Sequence, residues 1–156
     1  MLKKTITYED LNGKTRTEDF YFDISKSELI DLEMKYEEGF EAHMHRIINA
    51  VNKKELYDAF TEMIQLSYGE KSEDGRYFQK ESDAGAPLYK KFLRSPAYDE
   101  LLIEFLTVPG AVDEFVSGIL PNQEELERIA KEAEKTSQAY SVKPGQSPVQ
   151  GLRPVK

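Results

Sequence analysis

The 156-residue sequence has no cysteine, no tryptophan, only 2 histidines and fewer cations than acids. Without cysteine there is no disulfide, no thiolate metal site and no thiol nucleophile. The same absence agrees with a reducing compartment such as the cytoplasm. Long apolar runs are also missing. Leu101-Leu102-Ile103 is interrupted by Glu104, so no segment reads as a membrane span. Residues 1–10 lack the apolar stretch of a secretory signal, because Lys3 and Lys4 are followed by Thr5, Thr7, Glu9 and Asp10. The 21 Lys and Arg against 29 Asp and Glu give a net charge of -8, made of +3 in residues 139–156 and -11 in residues 1–138. An acidic body repels phosphate, which argues against nucleic acid and against anionic membrane surfaces as partners.

What is present is enough for one core: 39% hydrophobic residues, with 8 Phe and 9 Tyr among them. Ile6 and Tyr8 alternate with Thr5 and Thr7, and Phe20, Phe22 and Ile24 alternate with Asp19, Tyr21 and Asp23. With Asn12-Gly13 between them, these runs predict a hairpin with strands near 3–9 and 16–24. A lone hairpin is marginal in water, so its apolar face is expected to pack on helices.

From Ser25 the apolar period becomes helical. Ser25-Lys26-Ser27-Glu28 reads as a capping box, followed by Leu29, Leu32 and Tyr36, with Gly39 as an interruption. Phe40, Met44, Ile47, Ile48 and Val51 form the clearest stripe. Asn52 and Glu55 open a helix burying Leu56, Phe60, Met63 and Ile64, for which Gly69 is the expected left-handed stop. Residues 69–87 are polar, with a turn at Asp74-Gly75 and a short extended piece over Arg76–Lys80. Ser95-Pro96 starts a helix carrying Tyr98, Leu101, Leu102 and Phe105. After Pro109-Gly110 come Val112, Phe115, Val116 and Ile119, and Asn122 with Glu125 caps a last helix with Leu126, Ile129, Ala130 and Ala133. The expected class is mainly α with an N-terminal β-hairpin (α+β). It comprises one domain over 1–138, hairpin about 3–24 and helices about 26–137, then a flexible tail 139–156 containing Pro144, Pro148 and Pro154.

Candidate chemistry is sparse. His43 and His45 would chelate together on a strand, but at helical pitch they diverge by about 200°. Glu70, Ser72, Asp74, Gly75 and Glu81 match positions 1, 3, 5, 6 and 12 of a calcium loop. Position 1 is normally the shorter Asp, however, and Asp83, Gly85 and Pro87 break the helix that should follow. An ordinary charged turn is therefore the better reading. No nucleophile elbow, dinucleotide fingerprint or phosphate-binding loop occurs, so no catalytic, cofactor or metal residue is assigned and an enzyme is not expected. Amphipathic helices, an aromatic hairpin and a tail are instead parts used to bind protein partners. Tyrosine suits such surfaces, although tyrosines bordering a core explain the same count.

Three strings resemble a known family. They are Leu2-Lys3-Lys4-Thr5-Ile6-Thr7-Tyr8 with Asn12-Gly13 and Arg16-Thr17-Glu18-Asp19-Phe20-Tyr21-Phe22; Tyr68-Gly69-Glu70-Lys71-Ser72-Glu73-Asp74-Gly75-Arg76-Tyr77-Phe78; and Ser95-Pro96-Ala97-Tyr98-Asp99-Glu100-Leu101 continuing to Phe115-Val116-Ser117-Gly118-Ile119-Leu120-Pro121. In this order, over about residues 1–121, they resemble the tail assembly chaperones of long-tailed phages and prophages of Gram-positive bacteria. The resemblance implies a non-catalytic, cytoplasmic assembly factor that binds the phage tape measure protein and keeps it soluble while tail tube subunits polymerise. It further suggests the tail tube protein and a second copy of the chain as partners. Phe20, Phe22, Tyr68, Tyr77 and Phe78 are the candidate partner-binding residues within the matching strings. The stretch after Ala139 departs from the family's pattern. A structural tail or connector protein retained in the virion is the alternative, and a small calcium-responsive or hydrolytic protein a third.

Overall fold

A computed structural model describes residues 1–49 and 52–139. Among them run β1 Leu2–Glu9, β2 Thr15–Phe22, α1 Lys26–Lys35, α2 Phe40–Ile48, α3 Lys53–Ser67, β3 Tyr68–Lys71, β4 Phe78–Gln79, α4 Tyr89–Phe92, α5 Pro96–Thr107, α6 Ala111–Ile119 and α7 Gln123–Ala139. The class is α+β, with the N-terminal hairpin and the helices that the sequence pattern predicts. Val51, the last member of the expected α2 stripe, and all of the expected flexible tail beyond Ala139 lie outside the described residues.

The hairpin pairs Leu2 with Phe22, Lys4 with Phe20, Ile6 with Glu18 and Tyr8 with Arg16. Opposed residues share a face, so one side carries Leu2, Ile6, Phe20 and Phe22 at its inner end and turns polar toward the loop. At that loop only Gly13 takes the left-handed conformation, with φ 78°. The Asp10 carboxylate accepts from the amides of Asn12 and Lys14 and holds the turn. Helices α5 and α6 lie against β1. Their close approach needs Gly118, where a β-carbon would stand 2.8 Å from Leu2 Cδ1. Lys4 Nζ closes the edge on Glu104 at 2.6 Å.

Helix starts follow their local chemistry. Ser25 Oγ accepts from the Glu28 amide while the Glu28 carboxylate accepts from the Ser25 amide, the reciprocal box expected there. Asn52 and Ser95 cap α3 and α5 through Lys54 N and Tyr98 N. The core is a run of rings joining sheet to helices. Phe22, fully buried, meets Tyr68, Phe92 and Phe115 at centroid distances of 5.6, 5.7 and 5.0 Å, and Phe105 links Phe115 to Phe60 at 5.1 Å each.

One expectation is corrected. Gly69 does not end α3 in a left-handed conformation. The extended Tyr68 caps that helix, and Gly69 sits in β3 opposite Tyr21. Glycine is required there because a β-carbon would stand 2.6 Å from both Gln79 O and Phe78 Cε1. The hairpin is extended into a larger sheet: β3 pairs with β2 and β4 with β3, giving four antiparallel strands in the order β1-β2-β3-β4. The expected extended piece over Arg76–Lys80 is β4, shortened to Phe78–Gln79.

Candidate functional site

The residues singled out in the sequence do not converge on one site. Phe22 is enclosed in the core and offers no surface to a partner. Phe20 is half-buried between Tyr8 and Phe92, and Tyr68 stacks on Phe92 at 4.4 Å. Burial, with Glu70 and Glu18 adding to it, pushes the Tyr68 phenol up to about 12. Phe78 is half-buried over Gly69. Only Tyr77, 67% exposed at the β3–β4 turn, presents most of its ring to solvent.

The calcium-loop residues fall on that same strand–turn–strand unit, not between two helices. Glu70 lies in β3 opposite Gln79, and Glu81 bridges to Pro87. Ser72 Oγ donates to Asp74 Oδ1 at 2.7 Å and the Arg76 amide donates to the same oxygen at 3.1 Å. These bonds, the Ser72 hydroxyl first, hold the Asp74 carboxyl below its ordinary value. The carboxylate is thus occupied in making the turn. Among the described residues no group of three or more His, Asp or Glu side chains is placed to hold a metal ion. His43 and His45 diverge as helical pitch requires. His43 stacks on Tyr36 at 4.0 Å, whereas the exposed His45 lies 3.6 Å from Glu41.

Two surface grooves carry more information. The first, about 300 Å³, opens where the end of α2, α3 and the α5–α6 turn meet, lined by Ile48, Leu56, Phe105, Leu106, Val108 and Val112 with Asp113 as its one charged member. Leu106 is 62% and Val108 50% exposed, and Ile103, one turn before Leu106, is exposed too. This patch was not read from the sequence. Its signal was present, because Ile103 and Leu106 fall off the Leu101–Phe105 stripe and make α5 apolar on a second face. The second groove, about 730 Å³, runs between the end of α1, the Tyr36–Gly39 turn and α7, and four glutamates line it: Glu33, Glu37, Glu38 and Glu134. An apolar groove at the meeting of helices can take the apolar stripe of a partner helix.

A family model described as phage tail assembly chaperone matches residues 1–150. The chain belongs to that family. The match runs well past Ala139, so the stretch expected to depart from the family pattern is covered as far as residue 150. No curated protein and no solved structure matches the chaperone. Membership puts its partners among the proteins of phage tail assembly. Among its described residues no helix is long and apolar enough to cross a membrane.

Proposed function

We propose that the chaperone binds the phage tape measure protein in the host cytoplasm and keeps it soluble until the tail tube forms around it, without catalysing a reaction. The family match over residues 1–150 carries this reading. The α3/α5/α6 groove supports a mechanism. A long helical client exposes apolar stripes that associate in water, and Leu106 and Val108 beside Ile48, Leu56 and Val112 form a complementary strip with little charge. The acidic body around the groove keeps the complex apart from its own copies.

The test is co-expression with tape measure fragments, scored by the soluble yield of each fragment. The chaperone should raise that yield, and Leu106→Asp with Val108→Asp should lose most of the gain while the circular dichroism spectrum stays unchanged. A charged side chain in the strip would have to be desolvated to bind, at a cost of several kcal/mol. Fragments equally soluble without the chaperone, or the chaperone present at stoichiometric levels in finished virions, would support a structural tail protein instead.

A further inference from the structure

The second groove has a property that the chaperone reading does not use. Its lining includes Glu33, Glu37, Glu38 and Glu134 and no Lys or Arg, around an apolar floor to which Met34, 53% exposed, and Tyr36 contribute. Glu33 accepts the Phe40 amide and Glu38 pairs with Arg46 at 2.9 Å, but Glu37 and Glu134 form no ion pair among the described residues. One wall is the last two turns of α7. There Ala130, Glu134 and Gln138 fall at i, i+4 and i+8 on one face, and every described side chain from Lys131 to Ala139 is exposed. An exposed helix end gains little from propensity alone, and most helical stability in a protein comes from tertiary packing.

The chain itself carries a segment of matching chemistry at that point. Residues 140–156 follow directly from Ala139, hold Lys143, Arg153 and Lys156 with no acid, and include the apolar Tyr140, Val142, Leu152 and Val155. Lys143 is four residues beyond Ala139, a reach of about 14 Å at roughly 3.5 Å per extended residue, so it can turn back to Glu134 and Glu37. We propose that residues 140–156 dock in the groove between α1 and α7, their cations on Glu37 and Glu134 and their apolar side chains on Met34 and Tyr36. The inference does not depend on which client the chaperone binds. It leaves the α3/α5/α6 groove open and makes the α1/α7 face a self-contact.

The absence of cysteine makes a clean test available. In the full chain, Ser147→Cys gives a single site for a nitroxide spin label, and paramagnetic broadening is read on the amides of a ¹⁵N-labelled sample. Docking predicts loss of amide intensity over residues 33–39 and 134–138, and recovery of that intensity at about 1 M salt, where the screening length falls to about 3 Å. Glu37→Lys with Glu134→Lys should also restore the signals, with an otherwise unchanged spectrum showing that the variant is folded. If that variant does not fold, the salt series on the parent chain decides alone. Unbroadened groove amides would overturn the proposal. So would equal broadening when spin-labelled ¹⁴N chain is mixed with unlabelled ¹⁵N chain, because the occupant would then be a second copy.

Discussion

A β-carbon at position 69 would stand 2.6 Å from the Gln79 carbonyl oxygen and from Phe78 Cε1, inside any permissible contact. Gly69→Ala therefore forces the β3–β4 pair apart or displaces the Phe78 ring, and overpacking of this kind costs about 1–3 kcal/mol. Gly75 provides the contrast. Its φ of 72° asks for glycine, but a β-carbon there would meet nothing within 4 Å. Gly75→Ala should cost only the backbone penalty of about 1–2 kcal/mol. Urea denaturation of both variants checks the distinction, with Gly69→Ala expected to broaden Phe78 and Tyr21 ring signals as well as lower the midpoint. Two glycines in one segment thus serve different purposes. Sequence reading picked out both but gave Gly69 the wrong one, since crowding by Gln79 and Phe78 is visible only once the strands are paired.

At the scale of elements, Lys80 ties three of them together. Its ammonium donates to both Glu28 oxygens, at 2.7 and 2.8 Å, and to the Leu66 carbonyl at 2.6 Å near the end of α3. Glu28 is also the N3 member of the α1 capping box. Partial burial raises the Glu28 carboxyl, but the Lys80 and Ser25 bonds outweigh it and hold the group below its ordinary 4.5. The unfolded chain then takes up this proton first as pH falls. The Glu28 contribution is complete above about 4.5 and is lost as pH drops through the lower folded value. Lys80→Met removes the main partner, so the variant should be less stable at pH 7 by about 1–3 kcal/mol and lose less on acidification. Chemical denaturation at several values between pH 3 and 7 measures both slopes; parallel curves would mean that Lys80 does not set the Glu28 value.

The same scale shows what was legible in the sequence. The hairpin, the Ser25 box and the Asn52 and Ser95 caps are local, written within a short stretch of chain, and they stand where expected. The pairing of β2 with β3 joins Tyr21 to Gly69 across a gap that contains three helices, and no local period records it. Helix α4 has 4 residues, too few to show a stripe. The apolar groove was hidden for the same reason, because Ile48, Leu56, Leu106 and Val112 come from four elements. Phe22 and Tyr68 lie in strings that carried the family resemblance, yet their rings build the core. Those strings mark how the family folds more than where it binds.

For the whole molecule, charge and the exposed apolar strip act against each other. A net charge of -8 at neutral pH separates copies of a chaperone that shows Ile103, Leu106 and Val108 to solvent. That repulsion disappears near pH 4.9, where the net charge passes through zero. The Glu28 contribution to folding is still present at this point, above about 4.5. Light scattering after gel filtration should therefore show one species at pH 7 and association of folded chains as pH approaches 5, with an unchanged far-ultraviolet spectrum. Leu106→Asp with Val108→Asp should suppress the association, because an apolar strip no longer continuous gives little area to bury at about 25 cal/mol per Å². Both chains associating alike would assign the effect to loss of charge alone. A parent chain that stays a single species through pH 4.9 would show that the strip is too small to drive self-association, and that a client must supply further contacts beyond it.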